Sequence, residues 1–364
     1  MKYLIVRIDT DLHPMTVLLI LVRAASVDHP AEPWYTAAVL YLVQKGRLMT
    51  DLAPIFEAVR HAVSLCQVVR RDHLASSDKG VNDPVTIADY GAQAIICRAI
   101  CETYPDDGVV AEEQGEQFMT LVSTSQRVLI CQLLADTLGI PVTVDDVVRW
   151  LDFGRGRGTG RRWMIDPIDG TKGFLAGRHY AIAAGLVQDD RPAGAVVAVP
   201  GYNDVGAVFW ALAGKTTRQG LNGESPVEVR VSSRVDRGSL RMLQSVEKAH
   251  GGSRRMARVR ERLGIADTHT AYLDSMEKYA LVAAGEAELY LRLPKAGSTY
   301  QHKAWDHAAG AALVLAAGGK VTDLDGSPLD FSMGAILPNQ GMVVTNGVIH
   351  ERVLDAVQQV IRED

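Results

Sequence analysis

Five carboxylates in this 364-residue chain stand where oxygen ligands for a hard cation would be wanted: Glu112 in VVAEEQG with Glu113 beside it, Asp166 and Asp169 in MIDPIDG, and Asp306 in KAWDHAAG. Oxygen donors in that number suit a divalent cation of the magnesium type, the default where a substrate brings phosphate. In MIDPIDG the proline fixes the chain direction after Asp166, so that Asp166, the carbonyl of Ile168 and Asp169 can face one point. Gly170 then lets the backbone turn sharply, and the TKG after it is expected to open a helix whose free N–H groups meet a phosphate. Taken singly, each motif is also what a turn, a solvated acidic face or a helix cap looks like. The chemistry is carried by their occurring together, in this order.

The elements that must position these groups are legible in the periodicity. DLAPIFEAVRHAVSLCQVVRR has apolar residues at helical spacing, with Asp51 and Pro54 at its front. DPVTIADYGAQAIICRAICETYP reads as a short polar loop feeding a second helix, interrupted at Pro105, and DDGVVAEEQG as a short strand running into the acidic pair. Two further helices are expected around Pro141, within residues 121–151, and RGRGTGRR at 155–162 is read as a solvated basic loop rather than a phosphate contact. HYAIAAGLVQDDRPAGAVVAVPGYNDVGAVFWALAG has the strand runs and the Asp-Asp and Pro-Gly turns of an antiparallel meander. After a change of register over 227–243, RRMARVRERLG and YLDSMEKYALVAAG read as helices, AELYLRLP as a strand, WDHAAGAALVLAAGG as a helix closed by glycines, and KVTDL as a strand. The division expected is an irregular extension over 1–48, an α+β domain holding the carboxylates over 49–225, and an α/β domain that recognises the substrate over 226–364.

The totals narrow the classes of function. With 47% apolar residues the chain can bury a substantial core, and 38 basic against 43 acidic residues give a formal charge of −5. That balance points to no nucleic-acid polymer and no anionic membrane surface as partner, so an anion must be held by a local site. Cys66, Cys97, Cys101 and Cys131 are too few for a disulfide framework, and no histidine or second cysteine pair completes a zinc set around Cys97 and Cys101. The run MTVLLILV is too short to span a bilayer and is closed by Arg23.

The marks DPVTIAD, AEEQG, WMIDPIDGTKGF and WDHAAG resemble the inositol monophosphatase-like superfamily of magnesium-dependent, lithium-sensitive phosphatases. Within it, PVTIADYGAQ, IDPIDGTKGFLAGRHYA, SVEKAH and LDSMEKYALVAAGEAELYLRLP look like the branch of 3'(2'),5'-bisphosphate nucleotidases, over residues 50–360. The resemblance implies a layered αβαβα sandwich. It implies two or more Mg2+ ions on Glu112, Asp166, the Ile168 carbonyl, Asp169 and Asp306, with Asp89 and Thr171 pairing to orient and deprotonate the attacking water. Glu113 is left open, either as a partner that supports a ligand or as a further carboxylate near the metals. Gly170, Thr171, His250, Ser275, Lys278 and Arg292 match positions that contact the nucleotide, the hydroxyl and ammonium suiting a phosphate and the planar groups of His250 and Arg292 an adenine face.

The activity implied is hydrolysis of the 3'-phosphate of adenosine 3',5'-bisphosphate to AMP and phosphate by two-metal activation of water, with 3'-phosphoadenylyl sulfate as a second substrate. That is a role in sulfur assimilation. An inositol mono- or polyphosphate phosphatase would share the metal site, and a catalytically silent nucleotide-binding regulator would share the fold. A cytoplasmic monomer acting on a small phosphorylated nucleotide is expected. Residues 1–48 show no sustained period, and Met49 reads as the natural start. Protein expressed from Met49 should therefore fold and keep full activity; loss of either would show that the extension belongs to the working protein.

Overall fold

The computed structural model describes residues 52–72, 84–157, 160–246, 253–295, 297 and 300–364, together with Tyr3–Leu4 and Val22–Arg23. His250 and most of the 1–48 extension lie outside the described residues. In the unit formed by residues 1–51, strand β1 (Tyr3–Leu4) pairs antiparallel with β2 (Val22–Arg23). Residues 52–364 make a second unit, which holds all the remaining elements.

The second unit begins with two long helices, α1 (Ala53–Asp72) and α2 (Pro84–Thr103). In α1 the residues Ile55, Val59, Ala62, Cys66 and Val69 recur every three or four positions and are all buried, which makes one apolar stripe. α2 starts on Pro84, where a missing N–H costs nothing because the first helical turn has no partner for it. PVTIAD is therefore the opening of the helix and not the polar loop expected from the sequence, and Asp89 projects from a helix. Three short helices come after the strand β3 (Gly108–Ala111): α3 (Gly115–Leu121), which has no counterpart in the periodicity of the sequence, α4 (Thr124–Leu138) and α5 (Val144–Leu151). The last two are started by capping boxes, Ser123 with Gln126 and Thr143 with Asp146.

The larger sheet has seven strands in the order β3, β4 (Arg161–Asp169), β5 (Ala181–Gln188), β6 (Arg191–Val199), β7 (Ala207–Leu212), β8 (Lys215–Gly220) and β9 (Val227–Val229). β3 runs parallel to β4 and every later neighbour is antiparallel, the meander the turn residues predict. Asp189 and Asp190 join β5 to β6 with φ of 50° and 61°, the two left-handed residues that match a two-residue turn to the twist of a hairpin. The smaller sheet has five strands in the order β11 (Thr270–Leu273), β10 (Met242–Ser245), β12 (Leu289–Arg292), β16 (Met342–Thr345) and β14 (Lys320–Thr322), and β13 (His302–Lys303) pairs with β15 (Ile336–Leu337).

Three apolar cores separate five layers. α1 and α2, with α4 and α5, cover one face of the large sheet through Ile55, Ile87, Ile95, Trp163 and Ile182. Between the sheets lie α8 (Glu277–Ala283) and α9 (Ala308–Ala316), packed on Ala183, Ala195 and Val197 on one side and on Tyr290 and Val344 on the other. α7 (Ser253–Leu263) and α10 (His350–Arg362) cover the outer face of the small sheet. The result is the layered αβαβα sandwich. One expected helix divides: in YLDSMEKYALVAAG the first residues are strand β11, and α8 begins only at Glu277 because Ser275 takes a left-handed φ of 69° that interrupts any helix.

α9 carries Asp306 just before its first turn, and it lies almost against the backbone of the large sheet. A Cβ at Gly185 would stand 2.6 Å from the Ala309 nitrogen and 3.0 Å from the Ala308 carbonyl carbon. Backbone atoms cannot swing aside as a side chain can. Gly185→Ala should therefore lower stability by about 1–3 kcal/mol, the usual cost of overpacking. The midpoint of denaturant unfolding reads this directly, and an unchanged midpoint would show that α9 can retreat without cost.

Candidate active site

The spacing of Asp166 and Asp169 is explained by a bulge. On a regular strand, residues three apart point to opposite faces. Here the pairing of β4 with β5 slips by one between Asp166, opposite Ala183, and Asp169, opposite Ala181. The extra residue changes the alternation: Trp163, Ile165 and then Ile168 face the α1–α2 core, whereas Met164 faces α8 and α9. Both aspartates are thereby placed on the Met164 side. Pro167, which has no N–H to give a ladder, sits within the irregular step where none is required.

Beyond the bulge Gly170, at φ 88°, is the N-cap of the short helix α6 (Thr171–Leu175). Thr171 Oγ1 donates to the Ile168 carbonyl at 3.2 Å, leaving that oxygen a second lone pair.

These groups open into a cavity of about 290 Å3. Glu112, Asp166, Ile168, Asp169, Gly170, Thr171, Ser275, Lys278, Arg292 and Asp306, all expected from the sequence, line it. Glu112 comes from the loop after β3, Asp306 from the turn before α9, Lys278 from α8 and Arg292 from the end of β12. Asp89 and Glu113 do not line it. Asp89 is buried on α2, near enough to Asp166 for its charge to raise that carboxyl. Glu113 is bonded through its backbone to the Gln93 side chain, at 2.8 and 2.9 Å, and through its carboxylate to the Tyr90 hydroxyl.

Four like charges share this space. Burial first, then repulsion from Asp169, Glu112, Asp306 and Asp89, pushes the Asp166 carboxyl well up. Burial and Asp169 bring Asp306 to about 7, and lost hydration with Glu113, Asp306 and Asp169 brings Glu112 to about 7 as well. Burial raises Asp169 too, against the attraction of Lys278 and the Met276 N–H, which its carboxylate accepts.

Asp166 Oδ1 is buried without a hydrogen-bond partner. Among the described residues, no three Asp, Glu, His or Cys side chains converge as a finished ligand set, so the carboxylates line one cavity without meeting at a point. The donors nevertheless fit a hard divalent cation: all are oxygens, they repel one another, and one is buried and unsatisfied.

Two cations, Lys278 and Arg292, line the same cavity. Lys278 is buried, and desolvation ahead of every other influence lowers its ammonium to about 8. It donates to the carbonyls of Leu273 at 3.0 Å and Ser275 at 2.5 Å, so that two of its three N–H groups hold the turn containing Ser275. Its ammonium also lies 5.4 Å from the Tyr290 ring centre. Arg292 is stacked 5.5 Å from the Tyr300 ring centre.

Lys172, Ser245, Asp274, Met276, Tyr279, Tyr290 and His307 also line the cavity; they lie within motifs quoted above but are not singled out as site residues there. Lys172 and His307 adjoin Thr171 and Asp306 and could have been found from them. Tyr279, whose hydroxyl lies 2.9 Å from His307 Nδ1, and Tyr290 look like core aromatics by pattern, and they are buried.

Comparison with known proteins places this geometry. The model for the inositol monophosphatase family matches residues 49–362. The 3'(2'),5'-bisphosphate nucleotidase 1 of Candida albicans is 32% identical over 366 positions, covering 91% of this chain and 96% of its own. The 3'(2'),5'-bisphosphate nucleotidase of Oryza sativa is 34% identical over 342 positions, covering 86% and 95%. Among solved structures, an inositol monophosphatase from Anabaena (Nostoc) has a TM-score of 0.55 at 21% identity, covering 85% of this chain and 97% of its own. The Thermotoga maritima IMPase has 0.56 at 23% identity, covering 85% and 96%. These structural likenesses establish the fold.

The carboxylate cluster fixes a pH dependence of stability. Asp306 ionises near 3.8 when unfolded and at about 7 when folded, so the folded chain holds the proton more tightly. Its stabilising contribution is complete on the acid side of 3.8 and is lost as the pH rises through about 7. Asp166, Asp169 and Glu112 act in the same direction. In chelator, the melting temperature should fall between about pH 5 and about pH 8, and Mg2+ should raise it more at the higher value. Calorimetry that finds an equal Mg2+ effect at both pH values would refute the account.

Proposed function

The chain belongs to the inositol monophosphatase family, and on that premise we propose that it removes the 3'-phosphate of adenosine 3',5'-bisphosphate, giving AMP and phosphate. The observation that carries this reading is the pairing, in one cavity, of a carboxylate wall with a buried cationic wall of Lys278 and Arg292. A substrate with two phosphates fits such a site. One phosphate would meet the carboxylates, which would hold the metal, and the other is held by Lys278, with Arg292 left to the base. The names carried by the relatives support the same substrate class, and 3'-phosphoadenylyl sulfate presents the same 3'-phosphate.

Family members depend on magnesium in general. Here Glu112, Asp166, Asp169, Asp306 and the Ile168 carbonyl would hold a pair of ions. When bound, magnesium supplies positive charge to the phosphoryl oxygens and makes water more acidic.

The remaining work belongs to the chain. Thr171 spends its hydroxyl proton on the Ile168 carbonyl, so its oxygen is left to accept from the attacking water. The water proton is assigned to Asp89 on the resemblance of its TIAD motif; that carboxylate is buried on α2 near Asp166 and is not itself part of the cavity lining. The water oxygen bonds to phosphorus, the bond from phosphorus to the ribose 3'-oxygen breaks, and that oxygen takes a proton from solvent water as it leaves, while Asp89 returns its own proton to solvent. Lys278 has one N–H beyond the two that hold the Ser275 turn, and it directs this donor with the Ser275 hydroxyl to the unreacted phosphate. Arg292, stacked on Tyr300, and His250 of the SVEKAH motif take the base.

Phosphate release measured in parallel on adenosine 3',5'-bisphosphate and inositol 1-phosphate, with Mg2+, tests the reading. The nucleotide should be preferred. Lys278→Met and Arg292→Ala should each lower kcat/KM for it by at least about tenfold, the worth of a charge-assisted contact. Asp89→Asn should lower kcat by about a hundredfold or more. Preference for the inositol phosphate would keep the carboxylate site and overturn the substrate.

A further inference from the structure

The two segments that flank the cavity, residues 169–179 and 274–278, are joined by three polar contacts. One belongs to the site itself, the Met276 N–H on the Asp169 carboxylate. The other two do not. Arg178 donates to Asp274 Oδ2 from Nε at 3.3 Å and from Nη2 at 3.1 Å, and His179 Nδ1 lies 2.6 Å from Glu277 Oε2. Neither Arg178 nor His179 lines the cavity.

The segments approach so closely that glycine is required between them. Across the two segments, a Cβ at Gly173 would stand 3.0 Å from Asp274 Oδ2 and one at Gly170 3.1 Å from the Ser275 Cβ, and within its own segment a Cβ at Gly173 would stand 2.0 Å from the His179 carbonyl oxygen. His179 is further confined by Gly201, where a Cβ would lie 2.9 Å from its Nδ1. What the clasp grips is a turn under tension. Ser275 sits at φ 69°, a conformation that a residue with a side chain keeps only where its surroundings fix it.

The burial is uneven. The side chains of Asp274 and Glu277 are 7% and 4% exposed, those of Arg178 and His179 are 48% and 41% exposed. The buried carboxylates depend on the outer pair, because a buried charge that loses its partner is strongly destabilising.

We infer that Arg178 and His179 are positioning residues for the reaction. Acting through Asp274 and Glu277, they hold the 274–278 turn so that Ser275 and Lys278 meet the phosphate that is not hydrolysed. This rests on the proposed two-phosphate substrate and adds to it the device that sets selectivity for the second phosphate. The reacting phosphate is served from β4, α2, the start of α9 and Thr171; Asp169 and Thr171 belong to the clasped segment, but each is also held apart from the clasp, Asp169 by its ladder pairing with Ala181 and Thr171 by the Ile168 carbonyl. Loosening the clasp therefore weakens recognition of the second phosphate and leaves the chemistry at the first.

The double variant Arg178→Met with His179→Phe, compared with the intact protein, tests this on adenosine 3',5'-bisphosphate and adenosine 3'-monophosphate. The ratio of kcat/KM between them should fall about tenfold, mostly through KM for the bisphosphate, as expected when a binding group is misplaced. Activity on the monophosphate should stay level, and Arg178→Lys alone should keep most of the ratio. Hydrogen exchange should quicken in peptides spanning 273–279 and not in those spanning 308–316. An unchanged ratio, or an equal loss on both substrates, overturns the proposal. Should the intact protein not distinguish the two nucleotides, the substrate reading fails, and exchange alone decides for the clasp: quickening at 273–279 retains it and no change removes it.

Discussion

Everything in this structure is arranged around the repulsion among Glu112, Asp166, Asp169 and Asp306. Apolar burial would drive such charges to the surface, yet Asp166 is almost wholly covered and one of its oxygens has no hydrogen-bond partner. The arrangement persists because each carboxylate is held by a different element. Asp166 and Asp169 lie on either side of a bulge in a central strand, Glu112 comes just after a parallel edge strand, and Asp306 precedes a helix wedged between two sheets. The large cores on both sides of the seven-stranded sheet supply the favourable free energy against which the repulsion is set. The layered fold is thus what allows four mutually repelling carboxylates to be kept around one cavity.

Much of this is legible in the sequence because the signals are local. DPIDG compresses a bulge, two acidic side chains and a helix start into a few residues, and Asp-Asp and Pro-Gly announce the hairpins. The carboxylates at 112 and 306 can be joined to it because each sits where a periodic segment ends. The features that escape are non-local or without a sequence mark. The partners Arg178 and Asp274 are 96 positions apart, and nothing in either neighbourhood announces the other. A left-handed serine has no compositional signature, so the strand, turn and helix in YLDSMEKYALVAAG read as one helix. Pro84 carries the marks of a loop residue, but proline is equally at home at a helix start, and it is this second use that places Asp89 on a helix.

Lys278 shows how one residue can serve structure and binding together. Its ammonium is buried, stacked near Tyr290 and bonded to two carbonyls of a turn that it helps to hold. Its place in the sequence allows two plain alternatives, a ligand or a solvated helix residue, and burial removes the second. A substitution here changes the shape of the turn as well as the charge in the cavity. Effects at this position and at Arg178 should accordingly be non-additive, since both act on the same turn.

Where α9 comes nearest the large sheet, the seam is made of small residues: Ala183, Ala195 and Gly185 on the strands, and Ala308, Ala309 and Ala312 on the helix. Gly310 is hemmed in as well, since a Cβ there would stand 2.4 Å from the ring of Tyr279. Nearly every substitution in such a seam adds volume and hardly any removes it. The paths open to sequence drift are therefore one-sided. A typical core can exchange a large residue for a small one and refill the gap from a neighbour, but this seam holds no spare bulk to trade. The position of Asp306 is inherited from backbone resting on backbone, and a lineage that widened the seam would move a carboxylate of the site with it.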